Sequence, residues 1–229
     1  MTPLERLLDR LLGPGALERP LVRQALTHPS AAGDGPEPVE HNERLEFLGD
    51  AVLGLVVAEH FYRRFPDRPE GELSRLRAAV VCRPSLSRAA RRLELGTVIR
   101  VGQSQEGGGR RRPSVLAAAM EAVIGAVYLE AGLETARSLV HEAMAEEIEE
   151  AAAGRLFQDH KTSLQEASRR LLGVDPVYRL VGEEGPDHDK RFHVEVWLEG
   201  RPSGRGSGRS KKEAEQAAAA EALRLLQES

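Results

Sequence analysis

Residues 42–53, NERLEFLGDAVL, set Glu43, Glu46 and Asp50 into an otherwise apolar helical stretch. Side chains three and four apart share a helix face, so the three carboxylates converge on one side. Leu45, Phe47, Leu48, Val52, Leu53, Leu55 and Val56 are interleaved with them, which makes the helix apolar nearly all round, as in a bundle. On a free surface the pattern is a solvated acidic face. Inside a bundle the crowded acids raise one another's pKa unless a cation neutralises them. Hard oxygen donors at this spacing suit Mg²⁺ or Mn²⁺, so the chemistry expected here is metal-assisted phosphoryl transfer.

The surrounding periodicity is helical throughout the first two thirds of the chain. Leu4, Leu7, Leu8, Leu11 and Leu12 mark a first helix closed by Gly13 and Pro14, and a second spans about 20–27. A Gly-, Pro- and Ala-rich loop at 31–40 precedes the central helix, which runs from 42 to 64 and stops at Pro66. Residues 70–81 put Leu73, Leu76 and Val80 on one face, and Pro84 opens a helix reaching residue 93. A second strongly apolar helix covers 114–131 with Glu121 as the only acid of its first half, and a last one covers 134–152, ending at Gly154.

After a linker at 151–158 the pattern changes. Residues 161–172 form an amphipathic helix with Leu164, Ala167, Leu171 and Leu172 inward, and 176–181 is a strand. Phe192, Val194, Val196 and Leu198 alternate with polar or aromatic partners in a second strand, and 201–207 is a short, glycine-rich third. Ser210 followed by Glu213 forms a capping box that opens the final helix, whose stripe of Ala214, Ala217, Ala218, Ala222 and Leu225 implies close packing on the sheet. The expected architecture is an all-α domain at 1–150 and an α+β domain of order α-β-β-β-α at 159–229.

Composition adds bounds. Cys82 is the single cysteine, which excludes an internal disulfide and a zinc cluster. No run approaches the roughly 20 apolar residues of a membrane span, and residues 1–9 lack a signal-peptide core, so a cytoplasmic protein with no membrane partner is expected. The net charge of −4 argues weakly against a polyanion partner. The first 150 residues hold 19 Arg and Lys against 23 acids, the remainder 13 against 13, and all four lysines (Lys161, Lys190, Lys211, Lys212) lie in the second part. Local clustering therefore decides the matter.

The stretch at 42–53, together with ALTHPS at 25–30 and the helix at 114–131, resembles the ribonuclease III family of double-strand-specific RNA endonucleases. Residues 159–227, and GSGRSKKEAEQAA at 206–218 above all, resemble a double-stranded RNA-binding domain. The resemblance implies a homodimer through the first domain, around Phe47, with two metal sites facing opposite strands of one RNA duplex. Each site uses Mg²⁺, with Mn²⁺ as substitute, for hydrolysis that leaves 5′-phosphate and 3′-hydroxyl ends with short 3′ overhangs, in RNA processing. Glu46, Asp50 and Glu121 match metal and catalytic positions. Glu43 matches a dimer contact at the site rim, and Glu70 an outer acid that positions water or metal. RNA contacts are implied at Thr162, Gln165, Glu166, His188, Lys190, Ser210, Lys211 and Lys212; Lys211 and Lys212 sit in a first helical turn, where the dipole and free N–H groups also favour phosphate. The segment 102–113, GQSQEGGGRRRP, is either a surface loop or a further RNA-backbone contact.

One position departs from the pattern. Where the family usually carries an aspartate three residues before Glu121, this sequence has Ala118, flanked by Ala117 and Ala119. The site therefore lacks one carboxylate. Three explanations stand: a variant made to bind without cutting, an enzyme with weakened metal binding, or a non-cleaving double-stranded RNA-binding protein on the same scaffold.

Overall fold

The computed structural model describes residues 1–33, 40–105, 107–156, 160–186 and 190–227. The chain divides into two units, Met1–Phe157 and Gln158–Ser229, each with its own hydrophobic core. The first unit is helical: α1 (Pro3–Leu12), α2 (Pro20–Ala25), α3 (Glu43–Arg64), α4 (Glu70–Val81), α5 (Arg83–Arg92), α6 (Pro113–Ala143) and α7 (Ala145–Ala152). Thr2 caps α1 in a reciprocal capping box with Glu5, and Gly13, at φ 97°, ends it.

Two helices carry the core. Leu45, Val52, Leu53, Val56, Val57 and Phe61 give α3 one buried stripe, while Phe47, Leu55 and Tyr62 stand 81%, 54% and 72% exposed on the opposite side. The helix thus lies within the bundle, as expected, with one largely apolar side left exposed. α6 is buried along most of its first half, from Val115 to Val127. By length and composition it could cross a membrane, which the sequence reading did not expect; 61% of that apolar window is buried inside the protein, so core packing accounts for its composition. The helix breaks at Gly132 (φ 79°, ψ −179°), between the two expected helices, and the second of these divides again at Met144 before α7.

α3 and α6 touch backbone to backbone. A Cβ added at Gly49 would lie 1.7 Å from the Glu121 carbonyl oxygen, and one at Gly125 would lie 2.4 Å from that of Leu45. No side chain fits at either place, so the two glycines set the distance between the helices. The ALTHPS segment pins the start of α3. Thr27, 3% exposed, accepts the Asn42 amide at its carbonyl, and the His28 amide donates to Arg100. Ser30 Oγ accepts from the Gly102 amide at 3.0 Å, tying the start of α3 to the glycine-rich loop. α7 is fixed on α5 by Glu147, 1% exposed, which takes Arg92 Nη2 at 2.5 Å and Arg88 Nε at 3.3 Å. Burial alone would raise Glu147, but these arginines hold its carboxyl below the usual range.

The expected linker is shorter than read, because Ala151 and Leu156 are buried in the first core. The second unit has α8 (His160–Leu172), the strands β1 (Val177–Glu184), β2 (Arg191–Leu198) and β3 (Arg201–Gly208), and α9 (Lys211–Gln227). The sheet is antiparallel in the order β1-β2-β3. Glu199 and Gly200, at φ 50° and 76°, make the two-residue turn between β2 and β3. Gly204, Gly206 and Gly208 lie directly under Ala214, Ala218 and Ala222, and a Cβ at Gly206 would come within 2.2 Å of the Ala218 amide nitrogen. Ser210 Oγ caps α9 by accepting from Glu213 N, but the Glu213 carboxylate accepts from Arg209 N, so the box closes one residue earlier than read.

Gly49→Ala should destabilise the first unit by about 3 kcal/mol or more, because two backbones must part. Gly71→Ala, within α4 where a Cβ meets nothing within 4 Å, should leave stability unchanged or raise it by up to about 1 kcal/mol. Urea unfolding of both variants measures the contrast; equal effects would remove the close approach.

Candidate active site

The crossing of α3 and α6 decides which carboxylates meet. Glu46 and Asp50 flank Gly49 on α3, and Glu121 lies one turn before Gly125 on α6. A cleft of about 220 Å³ opens beside the crossing, lined by Glu46, Ala118 and Glu121 together with Arg83, Leu86, Ser114 and Ala117. Asp50 is exposed and does not line this cleft, but it couples electrostatically to Glu46 and Glu121.

The electrostatics are those of an uncompensated cluster. Burial, then the charges of Asp50 and Glu46, push the Glu121 carboxyl up to about 7, against a weaker opposing pull from Arg83. Glu46 is raised for the same reasons, with burial first and Glu43 next. Glu121 and Glu147 are the same residue type, half-buried and buried, yet their carboxyls move in opposite directions. Glu147 has two arginines in hydrogen-bond range; Glu121 has a shortage of positive charge.

A divalent cation would relieve that shortage. Among the described residues no group of three or more His, Cys, Asp or Glu side chains is arranged to hold a metal by itself. Mg²⁺ does not require one, since it keeps several waters and binds through one or two carboxylates plus substrate phosphates. The hard oxygen donors and the excess negative charge fit such an ion.

The remaining candidates divide. Glu43 is exposed at the start of α3, 3.6 Å from His41 Nδ1. Glu70 is not brought to this cleft: it lies with Leu55, Tyr62 and Leu73 on the other side of α3, where it accepts from Ser74 Oγ at 2.6 Å. The role of outer acid read for Glu70 therefore has no support within one chain, because α4 packs against the α3 face that carries the exposed apolar side chains. The sequence pattern does not single out Arg83 or Ser114, although a cation as first residue of a helix, against the dipole, is a signal for Arg83.

In the second unit Thr162, Gln165 and Glu166 are exposed on one face of α8, with Gln165 donating to Asp175 at 3.2 Å. Lys190 Nζ stands 2.7 Å and Lys211 Nζ 3.9 Å from Glu183, each also near the Phe192 ring. Lys190 first, and Lys211 with it, hold the Glu183 carboxyl below its usual range. Ser210 and Lys212 are exposed beside them at the start of α9. His188 lies outside the described residues.

Comparison with known proteins gives two domain matches: Ribonuclease-III-like over residues 18–148 and double-stranded RNA binding motif over 160–226. The chain is 51% identical to Ribonuclease 3 of Symbiobacterium thermophilum over 203 residues, covering 89% of this chain and 86% of that one. It is 49% identical to Ribonuclease 3 of Desulforamulus reducens over 209 residues, covering 90% and 85%. Among solved structures it is similar to the nuclease domain of ribonuclease III from Campylobacter jejuni, in a study of a flexible region involved in that protein's dimer formation. That match has 40% identity and a TM-score of 0.55, covering 62% of this chain and 97% of that one.

The Glu121 carboxyl generates a pH prediction. Its folded value near 7 exceeds the ordinary 4.5, so the folded chain keeps a proton that the unfolded chain loses between those values. The associated stability is complete below the lower value and is lost as pH rises through the upper one. Relative to the parent, Glu121→Gln should gain on the order of 1–2 kcal/mol between about pH 5 and about pH 8, after allowance for solvent screening. Denaturant unfolding at the two pH values tests this, and a pH-independent difference would refute the shift.

Proposed function

The chain belongs to the ribonuclease III family, and on that premise we propose that Glu46, Asp50 and Glu121 are its metal-holding carboxylates. The protein is an endoribonuclease that acts on double-stranded RNA and depends on a divalent metal. The observation that carries the site assignment is Glu121, held near 7 by burial and by two neighbouring acids in an open cleft. Mg²⁺ is the metal of this reading and Mn²⁺ its substitute. When bound, the metal supplies Lewis-acid stabilisation and an activated water for in-line attack on a phosphodiester. Glu46 and Glu121 would hold such an ion from α3 and α6, with Asp50 as a further carboxylate and Glu43 at the rim. The products of the reading carry 5′-phosphate and 3′-hydroxyl ends with short 3′ overhangs, in cytoplasmic RNA processing.

The staggered cut requires two sites, and the α3 face bearing Phe47, Leu55 and Tyr62 supports a homodimer through the first unit. Light scattering that returned a monomer at micromolar concentration would remove this part. Arg91, Arg110 and Arg111 line a cleft of about 730 Å³ with Gly107 and Gly108, which favours the basic loop as an RNA-backbone contact over a plain surface turn.

A-form RNA hides its base edges, so a duplex is held through phosphates and 2′-hydroxyls. Thr162, Gln165 and Glu166 serve the minor groove in this reading, and Lys190, Ser210, Lys211 and Lys212 the phosphates; His188 is assigned by resemblance. Lys211→Ala with Lys212→Ala should weaken duplex binding and flatten its log–log salt dependence by at most about two units. An unaltered slope in fluorescence anisotropy would take both lysines out of the contact.

Ala118 lines the cleft one turn before Glu121, so an aspartate there would add a carboxylate to the set. Ala118→Asp should raise cleavage of long duplex RNA at limiting Mg²⁺ at least about tenfold, with metal-free duplex binding unchanged. Superimposable Mg²⁺ titrations of the two forms would overturn the placement of the metal. The same lack of a fourth acid favours a second reading, a duplex binder that does not cut; it predicts no short products on a gel with either Mg²⁺ or Mn²⁺.

A further inference from the structure

We propose that Arg83 grips the phosphodiester at the cleavage site, its guanidinium donating to the non-bridging oxygens of the phosphate that enters the Glu46–Glu121 cleft. The assignment rests on reading that cleft as the site of cleavage.

Charge is the first argument. Three carboxylates repel an incoming phosphate, and Arg83 is the only cationic side chain lining the cleft among the described residues. The second is that this guanidinium is uncommitted. On the same helix Arg88 is bound to Glu147 and Glu150, and Arg92 to Glu146 and Glu147. Those two arginines fasten α7. Arg83 is exposed and makes no hydrogen bond or ion pair with another described residue, although it feels both Glu46 and Glu121 across the cleft. Five N–H donors are therefore available in a planar fork that matches two phosphate oxygens.

Position is the third. Arg83 is the first residue of α5, and the Leu86 amide donates to the Cys82 backbone carbonyl just before it at 3.0 Å. A fixed positive charge at a helix N-terminus opposes the dipole. Nothing in the packing of α5 repays that arrangement, since the buried residues are Ser85, Leu86, Ser87, Ala89 and Ala90. An anion arriving in the cleft does.

The test separates phosphate binding from catalysis and from metal binding. Anisotropy is measured with the full chain and a short RNA duplex, in EDTA and then in Ca²⁺, which serves as a divalent probe. The parent should bind more tightly in Ca²⁺. Arg83→Gln should match the parent in EDTA within about twofold, where the second unit dominates, and lose about tenfold in Ca²⁺. Arg83→Lys should recover part of that loss, since it keeps the charge but not the fork. A larger Ca²⁺ increment in Arg83→Gln than in the parent would overturn the proposal by making Arg83 a counter-cation that competes with metal. An increment that Arg83→Gln retains unchanged would overturn it alone. No increment in the parent would overturn the metal-site reading and this assignment together.

Discussion

The nearness of two helix backbones at Gly49 and Gly125 is the constraint on which the rest of the first unit depends. With a Cβ at either position the helices would have to move apart, because the space is already filled by the carbonyl oxygens of Glu121 and Leu45. Close approach is what places an α6 acid among α3 acids. Glu46 lies one turn from Gly49 and Glu121 one turn from Gly125, and with Ala118 they line the cleft beside the crossing.

Acid burial in this unit takes two forms with opposite outcomes. Glu147 is met by Arg88 and Arg92, and serves to hold α7 on α5. Glu121 is met by further acids, and its raised carboxyl marks a place where folding has accepted repulsion. A buried charge left without its partner is unfavourable for stability, which is why such a cluster points to a ligand and the Glu147 cluster does not.

The second unit uses the same device in a different architecture. Gly204, Gly206 and Gly208 let α9 settle on β3, with Ala214, Ala218 and Ala222 as the facing stripe. Bringing the helix that low sets the first turn of α9 beside the start of β2, and so gathers Lys190 and Lys211 about Glu183 and Phe192. Two lysines from distant points of the chain then share one small patch, which a net charge near zero for that part of the sequence conceals.

Local periodicity and capping residues determined most of the helices and all three strands, since a 3.6-residue or two-residue repeat of apolar side chains is a property of the chain itself. The pairing of Glu43, Glu46 and Asp50 on one face followed from the same rule. Periodicity specifies a face but not what that face meets. Resemblance alone grouped Glu121 with Glu46, and only the tertiary structure decided that Glu70 belongs to the opposite side of α3 with Leu55 and Tyr62 and that Phe47 is left exposed. Arg83 is the clearest case: nothing near it in sequence is acidic, and its place among carboxylates arises from the way α5 packs against α6. The two glycines were legible as residues but not as a contact, because a missing side chain has meaning only when another backbone occupies its space.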